Sequence, residues 1–476
     1  MRGVTILSQP EKIVPMKGLD ASFLYLEELG TPMHVGSLML LDTKALSAAG
    51  HHGDFASILH KHLAARLPKA AVLRRVLDPA VLSHPSWREV EAVDLKRHIV
   101  TRRLRAPGTE AALLRLVAEL HAEPLPRDRP LWRFVVIEGL RSGLVALYAQ
   151  IHHALIDGQG GMALAKLLLD VDPKTGEQLR LAALAESKPK AVKPVAKRSA
   201  LKALGQMLQS LPDWIERVGE TAEQVLQLGQ SLRDAIRIAP RTPFNVQIGP
   251  KRAFAHTWIA LAEVKQVARA LDASINDIVM AMAGTALREW LLAEHQLPSK
   301  SLIAAMPVSL RGAGDTAIEN QVSMMQCTLH TEAADPIQRL RLIQKDTLAS
   351  KRTVSLLRDW MPTNYPGFAA PIWVSGLSRL WARGKLAERL PPLANLVISN
   401  VPGPPFTLFL AGARLVATIP VSIVTHGLAL NITLHSYDGR LDIGIISARD
   451  VVAKPDRLAQ LMIEAFAALR LRALLA

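Results

Sequence analysis

The feature that most limits how this chain can fold is an uncharged run, Leu144-Val145-Ala146-Leu147-Tyr148-Ala149-Gln150-Ile151. Its length and apolar character read as a buried strand. The run breaks into His152, His153, Ala154, Leu155, Ile156, Asp157 and Gly158, and Met162–Asp170 beyond reads as a helix. A neutral imidazole at such a strand-to-helix junction is available as a general base near pH 7. Asp157 lies four residues after His153, close enough to fix the ring's tautomer or to brace the turn. Gly158 permits backbone angles that a side chain would forbid. The bland alternative is a pair of core histidines in a tight turn.

Short apolar runs alternate with helical segments from Gly18 to about Asp172, the pattern of a mixed α/β domain. Leu38–Leu41 and Phe134–Ile137 read as strands, and Glu110–His121 as a helix. Composition then changes. Pro173–Lys202 carries Lys188, Lys190, Lys193, Lys197, Arg198 and Lys202 among prolines, as a solvated linker does. An apolar stripe from Leu201 to Val225 follows, divided at Pro212. It suits either a helix pair packed on the domains or an element that touches lipid. Beyond Arg241 a second α/β region has its clearest helix at Asn276–His295. Its clearest strands are Leu302–Pro307, Val322–Thr328, Leu396–Ser399 and Leu428–Leu434. The expected division is therefore 1–172, 173–240 and 241–476, with two lobes of similar size.

The longest segment free of Asp, Glu, Lys and Arg, Leu415–Tyr437, contains Pro420, His426, Gly427 and Asn431. It reads as core strands and not as a membrane span. Met1–Gly18 lacks the continuous apolar core of a signal peptide. The single cysteine, Cys327, rules out an internal disulfide framework, suits a reducing cytosol and falls in a strand-like core run. The net charge of +15 is spread along the chain without a zinc-finger or RNA-recognition pattern. It points to an anionic membrane surface or a phosphate-bearing substrate, and away from nucleic acid.

Several chemistries lack their residues. His152 and His153 are adjacent, so their side chains diverge in extended structure, and no further His or Cys spacing completes a metal site. Gly158-Gln159-Gly160-Gly161 has no Lys-Ser/Thr of a nucleotide-binding loop. No serine occupies a Gly-x-Ser-x-Gly elbow. A histidine base without a protein nucleophile implies that the substrate is the nucleophile: a hydroxyl or amine attacking an activated acyl group.

Motifs spread over nearly the whole length resemble one family. They are Leu19-Asp20-Ala21, Thr31-Pro32-Met33-His34-Val35-Gly36, Asp94-Leu95-Lys96-Arg97-His98, Arg129-Pro130-Leu131-Trp132 and His152–Gly158. In the second half they continue as Ser274-Ile275-Asn276-Asp277, Ser399-Asn400-Val401-Pro402-Gly403-Pro404 and Ala429-Leu430-Asn431-Ile432. In this order they resemble the bacterial wax ester synthase/acyl-CoA:diacylglycerol acyltransferases.

The resemblance implies an α/β fold of two chloramphenicol-acetyltransferase-like lobes, mixed sheets with flanking helices, and a substrate tunnel between them. It implies that His153 is the base, that acyl-CoA is the co-substrate with no further cofactor or metal, and that diacylglycerol or a long-chain fatty alcohol accepts the acyl group. By the same resemblance Asp157 braces the loop through a salt bridge, with His152 and Gly158 as further motif residues. Trp132, Asn276, Asp277 and Asn400 are tentative substrate-site residues. Each also has a plain reading: a core aromatic for Trp132, a helix N-terminus for Asn276-Asp277, a turn after a strand for Asn400. A cytoplasmic protein in peripheral contact with the inner membrane face or lipid inclusions is expected. The competing expectations are a condensation-domain-like amide or ester synthase and a non-catalytic protein of the lipid-inclusion surface. Asp359–Gly376, rich in proline and aromatics, aligns least with the family pattern.

Overall fold

The computed structural model describes residues 12–16, 18–27, 30–44, 46, 54–78, 85–156, 161, 164–165, 167–171, 237–309, 322–358 and 386–475. Asp157, Gly158, Asp359–Gly376, the basic linker and the striped helices lie outside these residues, as do parts of Met162–Asp170.

In chain order the described elements are β1 (Ile13–Pro15), α1 (Gly18–Leu26), β2 (His34–Asp42), α2 (Phe55–Arg66), β3 (Arg75–Asp78), β4 (Ser86–Glu89), β5 (Ile99–Arg103), α3 (Glu110–Ala122), β6 (Trp132–Glu138) and β7 (Val145–His152). The second half adds β8 (Arg252–Ala260), α4 (Leu261–Ala270), α5 (Ile275–Ala293), β9 (Ile303–Ser309), β10 (Val322–Thr328), α6 (Pro336–Arg358), α7 (Leu386–Arg389), β11 (Leu396–Pro402), β12 (Phe409–Leu410), β13 (Ala413–Val421), β14 (Leu430–Tyr437), β15 (Arg440–Ala448) and α8 (Asp456–Leu474). The strands expected at Leu38–Leu41, Phe134–Ile137, Leu144–Ile151, Leu302–Pro307, Val322–Thr328, Leu396–Ser399 and Leu428–Leu434 correspond to β2, β6, β7, β9, β10, β11 and β14. The helices expected at Glu110–His121 and Asn276–His295 correspond to α3 and α5, and Cys327 is buried in β10.

Two six-stranded mixed sheets organise them. The first has the order β12-β13-β2-β7-β6-β5, with β5 parallel to β6 and its other pairs antiparallel. The second has the order β10-β9-β11-β14-β15-β8, with β11 parallel to both neighbours. A small sheet, β1-β4-β3, flanks the first. The fold is α/β with two lobes.

The uncharged run forms β7, near the middle of the first sheet and buried along nearly its whole length. Alternation sends Leu147, Ala149 and Ile151 into a cluster with Leu59 and Leu63 of α2. Ala146 and Tyr148 enter another with Leu113 and Val117 of α3. That second cluster also contains Phe254 of β8 and Ile446 of β15, so it is where the lobes meet.

The lobes are not wholly sequential. The charge-free segment Leu415–Tyr437 does contain strands, but they separate: β13 pairs with β2 of the first sheet and β14 with β11 of the second. Strands β12 and β13 thus return from the 241–476 region to complete the N-terminal sheet. Where the lobes touch, β15 carries Gly444, because a Cβ there would lie 1.9 Å from the Pro420 carbonyl oxygen of β13. The second lobe's hydrophobic core has Ile278–Ala283 of α5 at its centre against Leu458 and Met462 of α8, and the lobe also buries Arg339, Asn395 and Asn431.

Candidate active site

Strand β7 ends at His152, and a turn over His153–Leu155 follows. Backbone bonds fix the turn: the His152 N–H donates to Leu131 O at 2.9 Å and the His153 N–H to Met33 O at 2.8 Å. The two imidazoles diverge, as adjacent positions must. His152 is fully buried. Its Nδ1 accepts the Ala154 N–H at 3.0 Å, which places the neutral ring's proton on Nε2, 3.4 Å from Oε1 of Glu27. The His153 ring is partly exposed and stacks on Phe23, with centroids 4.2 Å apart and planes 13° from parallel.

Glu27 follows the last turn of α1, and its N–H donates to Phe23 O at 3.1 Å. Its Oε1 accepts the Met33 N–H at 3.0 Å, and Oε2 accepts from Arg127 Nη2 at 2.9 Å. Burial pushes this carboxyl up, but His152, the Met33 N–H and Arg127 together hold it at about 2. It is therefore a carboxylate throughout the working pH range.

Beneath the turn, the same face of β7 meets neutral polar groups of β2 and α3 in a buried hydrogen-bonded cluster. Gln150 donates to Leu120 O at 2.9 Å and to His34 Nε2 at 3.0 Å, while its oxygen accepts from Arg133 Nε at 2.8 Å. His121 Nε2 lies 2.7 Å from Ser422 O and its Nδ1 2.6 Å from the Tyr148 hydroxyl, so Nε2 donates and Nδ1 accepts. Burial drives the His34 imidazole well below its ordinary range and the His121 imidazole down to about 3, so both stay uncharged. Gly36 fits the same rack, since a Cβ there would lie 2.7 Å from the Tyr148 ring.

The far end of the loop is clamped separately. Gly161, Leu164, Ala165, Leu167 and Leu168 are helical. Arg66 of α2 donates to Leu168 O at 2.8 Å and pairs with Asp170 Oδ1 at 2.5 Å, both side chains nearly buried. The Asp170 backbone in turn exchanges two 2.8 Å bonds with Phe409.

The second-lobe motifs meet each other. Asn400 Nδ2 donates to Asn276 Oδ1 at 2.7 Å, joining the end of β11 to the start of α5. Asp277 is otherwise engaged: with Ser274 it closes a reciprocal capping box, and its Oδ1 accepts from Thr347 at 3.1 Å. Trp132 is buried and stacked on His98 at 4.1 Å, with its indole N–H donated to Leu73 O at 2.8 Å. It occupies the core.

Phe23, Glu27 and the Met33 carbonyl gather at His153 without having been singled out in the sequence. A single glutamate after a helix carries no local signal. The only hint was the Thr31–Gly36 motif, whose backbone Glu27 holds. No helix among the described residues is long and apolar enough to cross a membrane.

Comparison with known proteins places this geometry in context. Residues 16–279 match the family model of the wax ester synthase/diacylglycerol acyltransferase catalytic domain, and residues 318–470 match that of the C-terminal domain. The O-acyltransferase WSD of Acinetobacter baylyi is 31% identical over 452 residues, 93% of this chain and 94% of the relative. A Mycobacterium tuberculosis protein named for diacylglycerol O-acyltransferase activity is 35% identical over 450 residues, 93% of this chain and 96% of its own. Among solved structures, the wax ester synthase/diacylglycerol acyltransferase of Marinobacter aquaeolei VT8 superposes with a TM-score of 0.66 at 28% identity, covering 97% of this chain and all of that one. The first condensation domain of the calcium-dependent antibiotic synthetase shares the fold, with a TM-score of 0.57 at 13% identity over 97% of this chain and 96% of that domain.

Proposed function

The chain belongs to the wax ester synthase/diacylglycerol acyltransferase family, and from that premise we propose that it transfers the acyl group of acyl-CoA to a diacylglycerol or long-chain alcohol hydroxyl with His153 as general base. The observation that carries this assignment is the contrast between the two motif histidines. His152 is sealed in the core, one ring nitrogen accepting a backbone N–H and the other facing Glu27. His153 has its backbone held and its ring stacked on Phe23, and as a residue it is only partly buried.

In the reaction, His153 takes the acceptor's hydroxyl proton as the oxygen attacks the thioester carbonyl. The tetrahedral intermediate collapses, the carbon–sulfur bond breaks, and the CoA thiolate leaves, taking that proton from His153. The products are the ester and CoA thiol, and the imidazole is neutral again. No covalent acyl-enzyme, metal or added cofactor enters the scheme. A tunnel between the lobes would bring thioester and hydroxyl to the base from opposite directions. The Asn276–Asn400 pair belongs to this reading as the second lobe's contribution, and Asp157 and Gly158 as its loop supports.

The acceptor arrives from a lipid phase, so the proposal includes peripheral contact with an anionic membrane or lipid inclusion on the cytoplasmic side. Exposed Ile238, Met324, Leu390 and Leu393 lie near one another, linked by Ala239 N–H to Pro392 O at 2.8 Å and Gln326 Nε2 to Leu393 O at 2.5 Å. Exposed Arg237, Arg241 and Arg389 flank them, the combination that suits an anionic surface. Salt-sensitive flotation with anionic liposomes is expected, and its absence would remove this part.

The mechanism is tested with His153→Ala, following palmitoyl-CoA consumption with hexadecanol or dioleoylglycerol offered separately and in competition. A loss of at least ~100-fold is expected. Unchanged turnover would overturn the base assignment, and total absence of turnover in the parent protein would favour a non-catalytic lipid-surface role.

A further inference from the structure

The last turn of α1 touches the reactive histidine's surroundings from two sides. Phe23 supplies a ring against one face of the His153 imidazole at 4.2 Å. One helical turn on, Glu27 reaches under the backbone. Its Oε1 lies 3.0 Å from the Met33 N–H and 3.4 Å from His152 Nε2. The Met33 carbonyl is the acceptor for the His153 N–H, at 2.8 Å. One carboxylate oxygen therefore lies against both residues that locate His153: it is bonded to the Met33 N–H across the sheet and sits 3.4 Å from His152, which precedes His153 in the chain.

We propose that Glu27 is a positioning residue for the acyl-transfer reaction, holding the His153 imidazole in its reactive orientation through His152 and the Met33 backbone while Phe23 supports the ring. The inference rests on the reading of His153 as the base. It also gives His152 a function: with Nδ1 occupied by the Ala154 N–H, its Nε2 lies 3.4 Å from the Glu27 carboxylate, close enough for their electrostatic attraction to hold the turn towards α1.

A simpler role for Glu27 is a stability salt bridge to Arg127. The geometry argues against that as the main purpose. The Arg127 side chain is 48% exposed, and a pair of that kind contributes little. The Glu27 side chain is only 6% exposed, and its Oε1 faces inward to the two groups that carry His153. A buried carboxylate that accepts a backbone N–H and faces an imidazole is costly to displace, which suits a device for holding a turn. A small displacement of a general base lowers rate strongly, because proton transfer requires hydrogen-bond reach.

The test compares Glu27→Ala, Glu27→Gln, Phe23→Leu and His153→Ala in the full chain, using palmitoyl-CoA and hexadecanol. Turnover is expressed per folded molecule, with the folded fraction taken from circular dichroism and thermal melts. Glu27→Ala is expected to lower kcat by about 10- to 100-fold, with KM for palmitoyl-CoA changed less than about twofold. Glu27→Gln keeps an acceptor oxygen for the Met33 N–H and should recover about fivefold or more of that loss. Phe23→Leu keeps apolar volume without the stacking face and should lose about five- to tenfold in kcat. The kcat–pH profile should also differ between the parent and both Glu27 variants, because each removes a negative charge 3.4 Å from His152 in the turn that carries His153.

A purely structural Glu27 would reduce the folded fraction and leave kcat per folded molecule and the pH profile alone, and that result overturns the proposal. If Glu27→Ala does not fold, Glu27→Gln and Phe23→Leu decide: both within twofold of the parent would overturn it. Undiminished turnover in His153→Ala sinks the base assignment instead, so the two failures are distinct.

Discussion

The two lobes arrange what they bury differently, although both bury polar groups, Asn245, Arg339, Asn395 and Asp442 among those of the second. Around β7 the first lobe packs the imidazoles of His34, His98, His121 and His152 with Gln150, each engaged by a neighbouring polar or ring group. At the second lobe's centre, α5 buries Ile278, Val279, Met280, Ala281, Met282 and Ala283 in succession. The polar rack gains little net stability, because each bond inside replaces one to water, but it permits only one arrangement of partners. The aliphatic wall supplies hydrophobic stabilisation at roughly 25 cal/mol per Å² and tolerates small shifts. On the reading of His153 as the base, the first lobe would fix the geometry of the turn and the second lobe would stabilise the platform it works against.

The largest stability change should come from the second lobe. Ile432→Ala, in the fully buried centre of β14, is expected to cost about 2–5 kcal/mol in urea unfolding while leaving kcat per folded molecule near the parent value. His121→Leu should show the opposite balance. It strands the Tyr148 hydroxyl and the Ser422 carbonyl, at a cost of about 1–3 kcal/mol, and should reduce kcat per folded molecule more than Ile432→Ala does. If His121→Leu turns over normally, the rack is core filling and the comparison loses its functional half.

A smaller effect joins the lobes. His256 of β8 sits between Asp442 Oδ1 at 2.9 Å and Glu110 Oε1 at 3.1 Å, and Arg440 also pairs with Asp442. Burial lowers the ring's proton affinity, but the two carboxylates outweigh it and leave the pKa raised. A raised folded-state pKa gives stability that is fully present below the unfolded value, near 6.5, and is lost as pH rises through the folded value. The melting-temperature difference between the parent and His256→Gln should therefore be greatest near pH 6 and shrink above pH 7. Glu110 is 66% exposed at its side chain, so salt should reduce its share. A difference that grows with pH would exclude the clasp.

The same contrast decides what was legible in the sequence. Strand β7 and its turn were readable because a buried strand with a reactive end is a local pattern. Helix α5 was readable from its apolar run behind Asn276-Asp277, and the structure moves the N-cap to Ser274, with Asp277 closing the capping box. The separation of β13 from β14 was not, since nothing in Leu415–Tyr437 says which sheet each strand joins; the Gly444–Pro420 crossing becomes visible only in three dimensions. Glu27 was hidden for the same reason, its partners lying 6 and 125 positions away in the chain. The resemblance marked Asn276 and Asn400 as separate motifs, and only the structure makes them one feature.

That pair gives the smallest expected effect on stability and the finest test of the second lobe's part. Its bond is exposed, so Asn276→Ala and Asn400→Ala should each cost no more than about 1 kcal/mol in unfolding. If the amides act together at the site, either substitution should lower kcat/KM by a similar factor, and the double variant should lose little beyond that. A coupling of about 0.5–1 kcal/mol in the kinetic cycle is expected, because removing one amide leaves the other without its orienting partner. Strict additivity would mean that the two motifs contribute separately. Unchanged kcat/KM in all three would return the bond to the role of a loop tie, and the second lobe would then support the reaction through its apolar wall alone.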